Sequence, residues 1–536
     1  MRIYGTIILL LIAGRLVAQE KLSHYWVSFT DKADTPFSIF EPTDFLSPRA
    51  LERRDRLHIP IDSTDLPVSQ IYLDQLEQMG GQIRHTSKWL NATTVLATQT
   101  IAQQLETLPF VKGVERVGRY HEPLKKKKSK RTKLNSDYEQ TAGYYGYGSL
   151  QIGMVNGHAL HRLGYRGEGM IIGVQDGGYK NVDVMPFFDS LFVQQRMLPG
   201  KDFVDDDQYV LESSSHGSSV LSVMASNLPY LFVGTAPQAN YLCMKTEDVR
   251  SESLTEECNW IAALEYADSM GVDVVNSSLG YTEFTEEIMN YSYKDLDGQT
   301  SRASMAADIA VSKGVFVVSS AGNSGAGSWR FVGTPADSRE IFSIGAVTSN
   351  EQRASFSSFG PTADGRIKPN ISALGERTVV AGNGYALGMS NGTSLASPLI
   401  AGLVADLKQA FPYHDNRSLR EAIENSSSQA TAPDNVLGYG VPDFYIAYRL
   451  LKGKESLLQP LEVYCENDQI TIVFLEPFEG NGQFQIADKY GKVLMNVKVS
   501  PKTLFEKYQL EYNFPKGVYR VSLVSEQVHA DSYFVK

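Results

Sequence analysis

Short apolar runs alternate with stretches of helical spacing through the middle of the chain. Met170 to Gln175, Tyr241 to Met244, Val272 to Val275, Val315 to Ser319 and Phe342 to Val347 read as buried strands. Between them lie helices. One carries its own punctuation: Ser253 with Glu256 three residues on forms a capping box, and Gly271 marks the stop. Its Trp260, Leu264 and Ala267 recur on one face. Strand–helix alternation predicts an α/β domain built on a parallel sheet with helices on both faces. Ligands of such sheets bind beyond the C-terminal ends of the strands.

The flanks are patterned differently. Tyr25 to Phe29, Trp89 to Ala97 and Val111 to Val117 read as strands, and Ile101 to Leu108 as a helix. Val68 to Met79 has helical spacing (Ile71, Leu73, Leu76, Met79) and runs into Gly80-Gly81. Together they predict a small α+β domain. Near the C-terminus, Ile470 to Phe474, Gln483 to Ile486, Val493 to Val499, Tyr519 to Val524 and Ser532 to Val535 are strand-like. Turns at Asp488-Lys489-Tyr490-Gly491 and Pro515-Lys516-Gly517 make this region all-β.

The first residues have the form of a targeting signal. Arg2 precedes the apolar run Ile7 to Ala13, and Leu16-Val17-Ala18 offers a cleavage site. A signal peptide ending near Ala18 is expected, with an uncleaved anchor as the alternative. No later segment approaches 18 uninterrupted apolar residues. The basic run Lys125-Lys126-Lys127-Lys128-Ser129-Lys130-Arg131 leads into a Tyr/Gly-rich stretch and reads as an exposed, cuttable linker. The expected organisation is a signal at 1–18, a first domain at 19–122, a linker at 123–149, the α/β domain at 150–453 and a β-sandwich at 459–536.

Composition narrows the function classes. Of 536 residues 42% are hydrophobic and 21% charged, as in a globular protein with a sizeable core. A net charge of -11 argues against a nucleic-acid partner. Three cysteines, Cys243, Cys258 and Cys465, are too few for a disulfide framework. Cys243 and Cys258 either pair or stay buried thiols.

Four local motifs carry chemistry. In Ile171-Ile172-Gly173-Val174-Gln175-Asp176-Gly177-Gly178 a strand ends on a carboxylate at the sheet edge. In Ser215-His216-Gly217-Ser218-Ser219-Val220 a histidine opens a helix of small residues. Asn391-Gly392-Thr393-Ser394-Leu395-Ala396-Ser397-Pro398 puts Ser394 at a helix start, where free N–H groups stabilise negative charge, with Pro398 expected in the first turn. Val317 to Gly325 ends a strand on Asn323, whose amide can donate to an oxyanion beside the Ser394 N–H. Alone, the Asp and His motifs could be an ordinary turn and an ordinary helix start; Gly-Thr-Ser-x-Ala-Ser-Pro is far more specific.

At these residues, in the order Asp, His, Ser, the chain resembles the subtilisin-like serine peptidases, the subtilases. Gly234 to Ala239, Ser278-Leu279-Gly280, Ser355 to Pro361 and Lys368 to Ser372 match in order, so the resemblance covers roughly 150–453. It implies a secreted endopeptidase with a subtilisin-like sheet, Asp176, His216 and Ser394 as triad, and Asn323 in the oxyanion hole. It further implies that Ser278, Leu279, Gly280 and Gly322 meet the substrate. The substrates would be proteins or peptides. No cofactor is expected for the chemistry. Structural calcium is common in the family, without ligands that can be placed; Asp205-Asp206-Asp207 reads equally well as a solvated turn. Gly177 stands where the family has Ser or Thr, which would remove one hydrogen bond to the acid. Asn370 stands where Asp is common, and Leu395 replaces a usual Met.

The first domain resembles the family's inhibitory propeptide, making the chain its own inhibitor until cut. The last resembles type IX secretion sorting domains, through Gly517 to Val521 and the closing Tyr533 to Lys536, with a generic β-sandwich as the alternative. Three other readings compete. Gly388-Met389-Ser390-Asn391-Gly392 fits the nucleophile elbow of α/β-hydrolases. Ser-Glu-Asp peptidases share Gly-Thr-Ser but lack a catalytic histidine. A catalytically inactive binding or adhesion protein could keep the fold.

Overall fold

The structure is a computed structural model. It describes residues 20–123, 143–381 and 386–453, and the strands between 461 and 535 with a few of their linking residues. The expected signal peptide, the 125–131 basic run, the turn residues 489–491, Gly517 and the Cys465 side chain lie outside the described residues. The chain forms two units, one up to Tyr445 and one from Ile446.

Residues 20–123 form an antiparallel sheet of β1 (Ser23–Phe29), β2 (Gln82–Ser87), β3 (Ala92–Ala97) and β4 (Val111–Arg119), in the order β2-β3-β1-β4. Alternation along β1 decides what each face touches. Tyr25, Val27 and Phe29 pack with Leu73 and Leu76 of α2 (Gln70–Gln78) and Leu105 of α3 (Gln99–Leu105). Trp26 points the other way, into the core of the α/β domain. Ile71, expected on the apolar face of α2, is exposed. A further helix, α1 (Pro48–Arg56), is capped by the Ser47 hydroxyl, which accepts from Ala50 N at 3.2 Å.

The α/β domain holds a seven-stranded sheet. Its strands are β5 (Ile171–Asp176), β6 (Lys201–Asp202), β7 (Asn240–Lys245), β8 (Val274–Ser277), β9 (Phe316–Ser320), β10 (Phe342–Val347) and β11 (Ile371–Leu374). They lie in the order β11-β10-β9-β8-β5-β7-β6, and every pair is parallel. Helices α4 (His216–Ala225) and α7 (Thr393–Ala410) pack together on one face; α5 (Leu254–Met270) and α6 (Arg302–Ser312) pack together on the other. α5 starts and stops where its sequence predicts, with Glu256 accepting from the Ser253 N–H at 3.1 Å. After β7 the chain crosses β5 to begin β8, so the strand order reverses beside β5. A crevice at such a reversal is where an α/β sheet binds ligand.

Another placement differs from expectation. α7 begins at Thr393, so Pro398 lies in the second turn rather than the first. A proline there cannot donate to the carbonyl four residues back, that of Ser394. The Ser278 hydroxyl supplies the missing donor, at 2.9 Å from the Ser394 oxygen.

Cys243 and Cys258 are buried free thiols, and burial pushes both up, Cys258 to about 12. No described helix is long and apolar enough to cross a membrane. The second unit contains a three-stranded antiparallel sheet (Leu461–Glu466, Gln469–Phe474, Lys507–Glu511). A four-stranded one joins Val493–Val499, Gly482–Asp488, Val518–Val524 and His529–Val535. The first and last strands of the smaller sheet have no counterpart among the strands expected from sequence.

Candidate active site

Asp176 closes β5 at the reversal of strand order and is almost completely buried. His216, first residue of α4, directs Nδ1 at it, 2.9 Å from Oδ2 and 3.0 Å from Oδ1. The carboxylate's charge raises the pKa of His216 above the usual histidine value, although burial of the ring opposes it. Gly217 is what lets α4 come this close. A Cβ there would lie 2.5 Å from the Gly178 carbonyl oxygen and 2.9 Å from the Asp176 Cβ. Gly177 donates its N–H to Asp176 Oδ1 at 2.8 Å, so the acid keeps a main-chain donor where a hydroxyl was expected to be missing.

Ser394 is the second residue of α7, and an N–H at that position has no partner within its own helix. Asn323 follows β9. Its Oδ1 accepts from the Thr393 N–H at 2.9 Å and from the Thr393 hydroxyl at 3.0 Å, which fixes the amide and leaves Nδ2 as the outward group. A Cβ on Gly392 would lie 2.7 Å from Ser394 Oγ and 3.7 Å from Asn323 Nδ2, so the hydroxyl and the amide border one small space that only glycine leaves open. Among the described residues no hydrogen bond joins His216 to Ser394 Oγ; their helices pack side by side.

Supporting contacts explain other motifs. The Ser358 N–H donates to the Gly322 carbonyl at 2.9 Å, and Ser358 Oγ accepts from Ser324 N at 3.0 Å, pinning the loop that carries Asn323. Ser278 is buried. Its hydroxyl bonds Asn276 and the Ser394 carbonyl, and Asn276 accepts from Ser397 at 2.7 Å, tying the end of β8 to α7. Leu279 is partly buried against the core and Gly280 is exposed. Asn370 Oδ1 accepts from Ser343 N and Lys368 Nζ while its Nδ2 donates to Glu424. An aspartate there could not make that last bond, which accounts for the amide. Ser390, the serine of the elbow reading, is exposed in a two-stranded antiparallel ribbon, Thr378–Ala381 with Leu387–Ser390, and not at the end of a sheet strand.

Two groups of acids stand close enough to share an ion, Asp202 with Asp205 and Glu212, and Glu247 with Glu252 and Glu256. The first does not fit calcium. Lys245 Nζ already lies 2.8 Å from Asp202 and 3.4 Å from Asp205. Asp205 is thus part of a buried ion pair, while Asp206 is the exposed turn residue. In the second group both Glu256 oxygens are taken, by the Asp248 and Ser253 N–H groups at 3.0 and 3.1 Å.

The N-terminal domain is clamped to α5. Asp268 accepts from Arg53 at 2.5 Å, Arg54 at 2.9 Å and Lys88 at 3.1 Å, and Asp65 joins Arg54 to Lys313. Burial alone would push the Asp268 carboxyl up; the three cations overcome it and hold it at about 2. Glu265, one turn before, takes the Ser87 hydroxyl and the N–H groups of Lys88 and Trp89, and burial pushes it up to about 7. No local sequence motif marks any of these contacts.

Residues 167–440 match the Subtilase family, peptidase S8, and residues 24–135 match the peptidase S8 propeptide domain of Bacteroidota. Subtilisin NAT of Bacillus subtilis subsp. natto is 30% identical over 373 residues, 68% of this chain and 82% of that protein. Subtilisin E of Bacillus subtilis gives the same values. Alkaline elastase YaB of a Bacillus species is 30% identical over 267 residues, 49% of this chain and 61% of that protein.

Proposed function

The chain belongs to the subtilase family of serine endopeptidases, and from that premise we propose that Asp176, His216 and Ser394 are its catalytic triad, in a secreted enzyme made as a proenzyme. The observation that carries the reading is the bonded Asp176–His216 pair on a helix packed against the one whose N-terminus holds Ser394, with the Asn323 amide beside that hydroxyl.

In this reading Ser394 Oγ attacks the scissile carbonyl as His216 Nε2 takes its proton. Asp176, bonded to Nδ1, stabilises the imidazolium so formed. Asn323 Nδ2 and the Ser394 N–H hold the developing oxyanion. His216 then protonates the leaving amine, and water, activated by the same imidazole, hydrolyses the acyl-enzyme. Gly322, Leu279 and Gly280 border the cleft, while Ser278 positions Ser394 through its carbonyl. None of these steps needs a cofactor.

The propeptide domain makes the chain its own inhibitor, released by a cut in the 123–149 linker. Residues 1–18 act as the export signal and 459–536 as a sorting element of the type IX kind. Fluorophosphonate labelling with intact mass tests the core of the proposal. Wild type should take one adduct and mature; Ser394→Ala should take none, stay at precursor mass and lose roughly six orders of magnitude in kcat, the size known for the same change in subtilisin. If wild type freed of its first domain does not label, the triad assignment fails and the inactive binding protein replaces it.

A further inference from the structure

Alternation along β8 sends successive side chains to opposite faces of the sheet. Ser277 faces α5, where its hydroxyl accepts from Trp260 Nε1 at 2.8 Å. Asn276 faces α7 and is fully buried. No chemical step proposed above uses it, yet both ends of its amide are engaged. Oδ1 accepts from the Ser397 hydroxyl at 2.7 Å, and Nδ2 donates to Ser278 Oγ at 3.0 Å. Ser278 Oγ in turn donates to the Ser394 carbonyl at 2.9 Å. Ser278, Ser394 and Ser397 are buried as well.

The protons give this chain of bonds a direction. A hydroxyl has one proton to donate. Ser397 gives its own to Asn276, and Ser278 gives its own to the Ser394 carbonyl. Ser278 can do so because the Asn276 amide donates to it. Turned the other way, the amide would offer Ser278 an oxygen and draw that proton off the carbonyl. The Ser397 hydroxyl, by donating to Oδ1, sets the amide the productive way round. A buried serine inside a helix can return its hydroxyl to a carbonyl of the preceding turn. Ser397 instead reaches out of α7 to β8. The chain of bonds therefore starts beside Pro398 and ends on the carbonyl that Pro398 leaves open.

The Ser394 carbonyl belongs to one of the two peptide planes that meet at the Ser394 Cα. The other plane joins Ser394 to Thr393, whose N–H and hydroxyl are held by Asn323 Oδ1. The main chain of Ser394 is thus fixed between two asparagines from neighbouring strands, Asn323 after β9 and Asn276 in β8. Resting on the triad assignment above, we propose that Asn276 is a positioning residue for Ser394. It acts through Ser278, and Ser397 sets the direction of its amide. Without it the Ser394 carbonyl loses its anchor, and Oγ and the N–H of Ser394 turn from the places that attack and oxyanion binding require. A misplacement of about 1 Å costs roughly a hundredfold in rate.

The test compares wild type, Asn276→Leu, Ser278→Ala and the double variant as matured enzymes, by steady-state kinetics on one peptide and by the rate of labelling with a small fluorophosphonate. Asn276→Leu should lower kcat roughly ten- to a hundredfold and leave KM within about twofold. Labelling should slow by the same factor, since the probe has no side chains for a cleft to read. Because Asn276 acts through Ser278, the double variant should be no slower than the slower single variant. Ser397→Ala keeps the amide and frees only its direction, so it should lower kcat roughly three- to tenfold; it decides the matter if Asn276→Leu does not fold. An unchanged kcat in Ser397→Ala overturns the positioning role. So does an Asn276→Leu enzyme that loses only melting temperature or only KM, or whose loss multiplies with that of Ser278→Ala. In each of those cases the peptidase stands. If wild type neither labels nor cleaves the peptide, the triad assignment is what has failed.

Discussion

Asp176 and Asp268 are both carboxylates closed off from water, and they are held in opposite ways. Asp176 faces one imidazole and the N–H of Gly177. Asp268 faces Arg53, Arg54 and Lys88 at once. A carboxylate with one titratable partner can favour the charged form of that partner as it comes and goes, which is what a general base requires of its neighbour. A carboxylate over-compensated by fixed cations can only hold. The molecule thus holds buried carboxylates in two ways: beside a single titratable imidazole at the candidate active site, and among three fixed cations between the first domain and α5.

The clamp should break with the larger effect. Asp268→Asn, made in the Ser394→Ala precursor, leaves three cations without their shared partner and should cost about 3–5 kcal/mol. Amide exchange in residues 20–123 would report it as faster opening. A change below about 1 kcal/mol would mean the cations find water and the clamp is not one. At the site, Asn323→Ala should lower kcat by roughly 10²–10³ with little change in KM, the range known for the corresponding amide of subtilisin. Steady-state kinetics on one peptide would decide it, since loss confined to KM would make Asn323 a binding group only.

Two smaller effects sharpen the contrast. Ser278→Ala removes the donor that replaces the missing N–H of Pro398, leaving the Ser394 carbonyl unpaired, and should cost about 1–3 kcal/mol in thermal unfolding. An unchanged melting temperature would show that water takes the place of the hydroxyl. The second concerns pH. His24 and His85 of the first domain are both held at about 4, chiefly by burial, His85 with its Nε2 2.6 Å from the Phe203 carbonyl. Arg84 and His121 face His24 along with Asp248; Arg84, Lys201 and Asp206 face His85. A histidine depressed on docking contributes stability above its free value near 6.5, lost as pH falls towards 4. Glu265, raised to about 7, works in the other direction between about 4.5 and 7 and offsets one of the two. The net is about one proton, so affinity for the severed first domain should fall roughly tenfold per pH unit from about 6.5 to 4.5. Titration calorimetry of Ser394→Ala enzyme with the first domain would check it; tighter binding at pH 5 would reverse the assignment.

Much of the candidate site was legible because each of its residues sits in a motif that makes sense locally. Asp176 ends an apolar strand, His216 opens a helix whose second residue must be glycine, and Ser394 follows a Gly-Thr pair at a helix start. Pro398 misled by one turn, because a proline in the second turn is tolerated only when some other donor satisfies the carbonyl it leaves open. That donor, Ser278, is 116 residues away. Glu265 gave no signal at all, since a lone glutamate within a helix is an ordinary surface residue until Ser87, Lys88 and Trp89 are brought to it. Helix α1 went unread for the same reason. Its Arg53 and Arg54 look like solvated charges, yet they are among the most buried side chains in the molecule.

The amino-acid sequence by itself determined five of the seven strands of the parallel sheet, their alternation with helices, the caps of α5 and the identity of the candidate catalytic groups, because hydrophobic period, capping and glycine conformation act over a few residues. The tertiary structure alone decided what those groups meet: the direction of the Asn323 amide, the partner of the Ser394 carbonyl, the lysine in the would-be calcium site and the cations around Asp268. The physical reason is that electrostatics and hydrogen bonding act between neighbours in space. Only the folded chain chooses those neighbours.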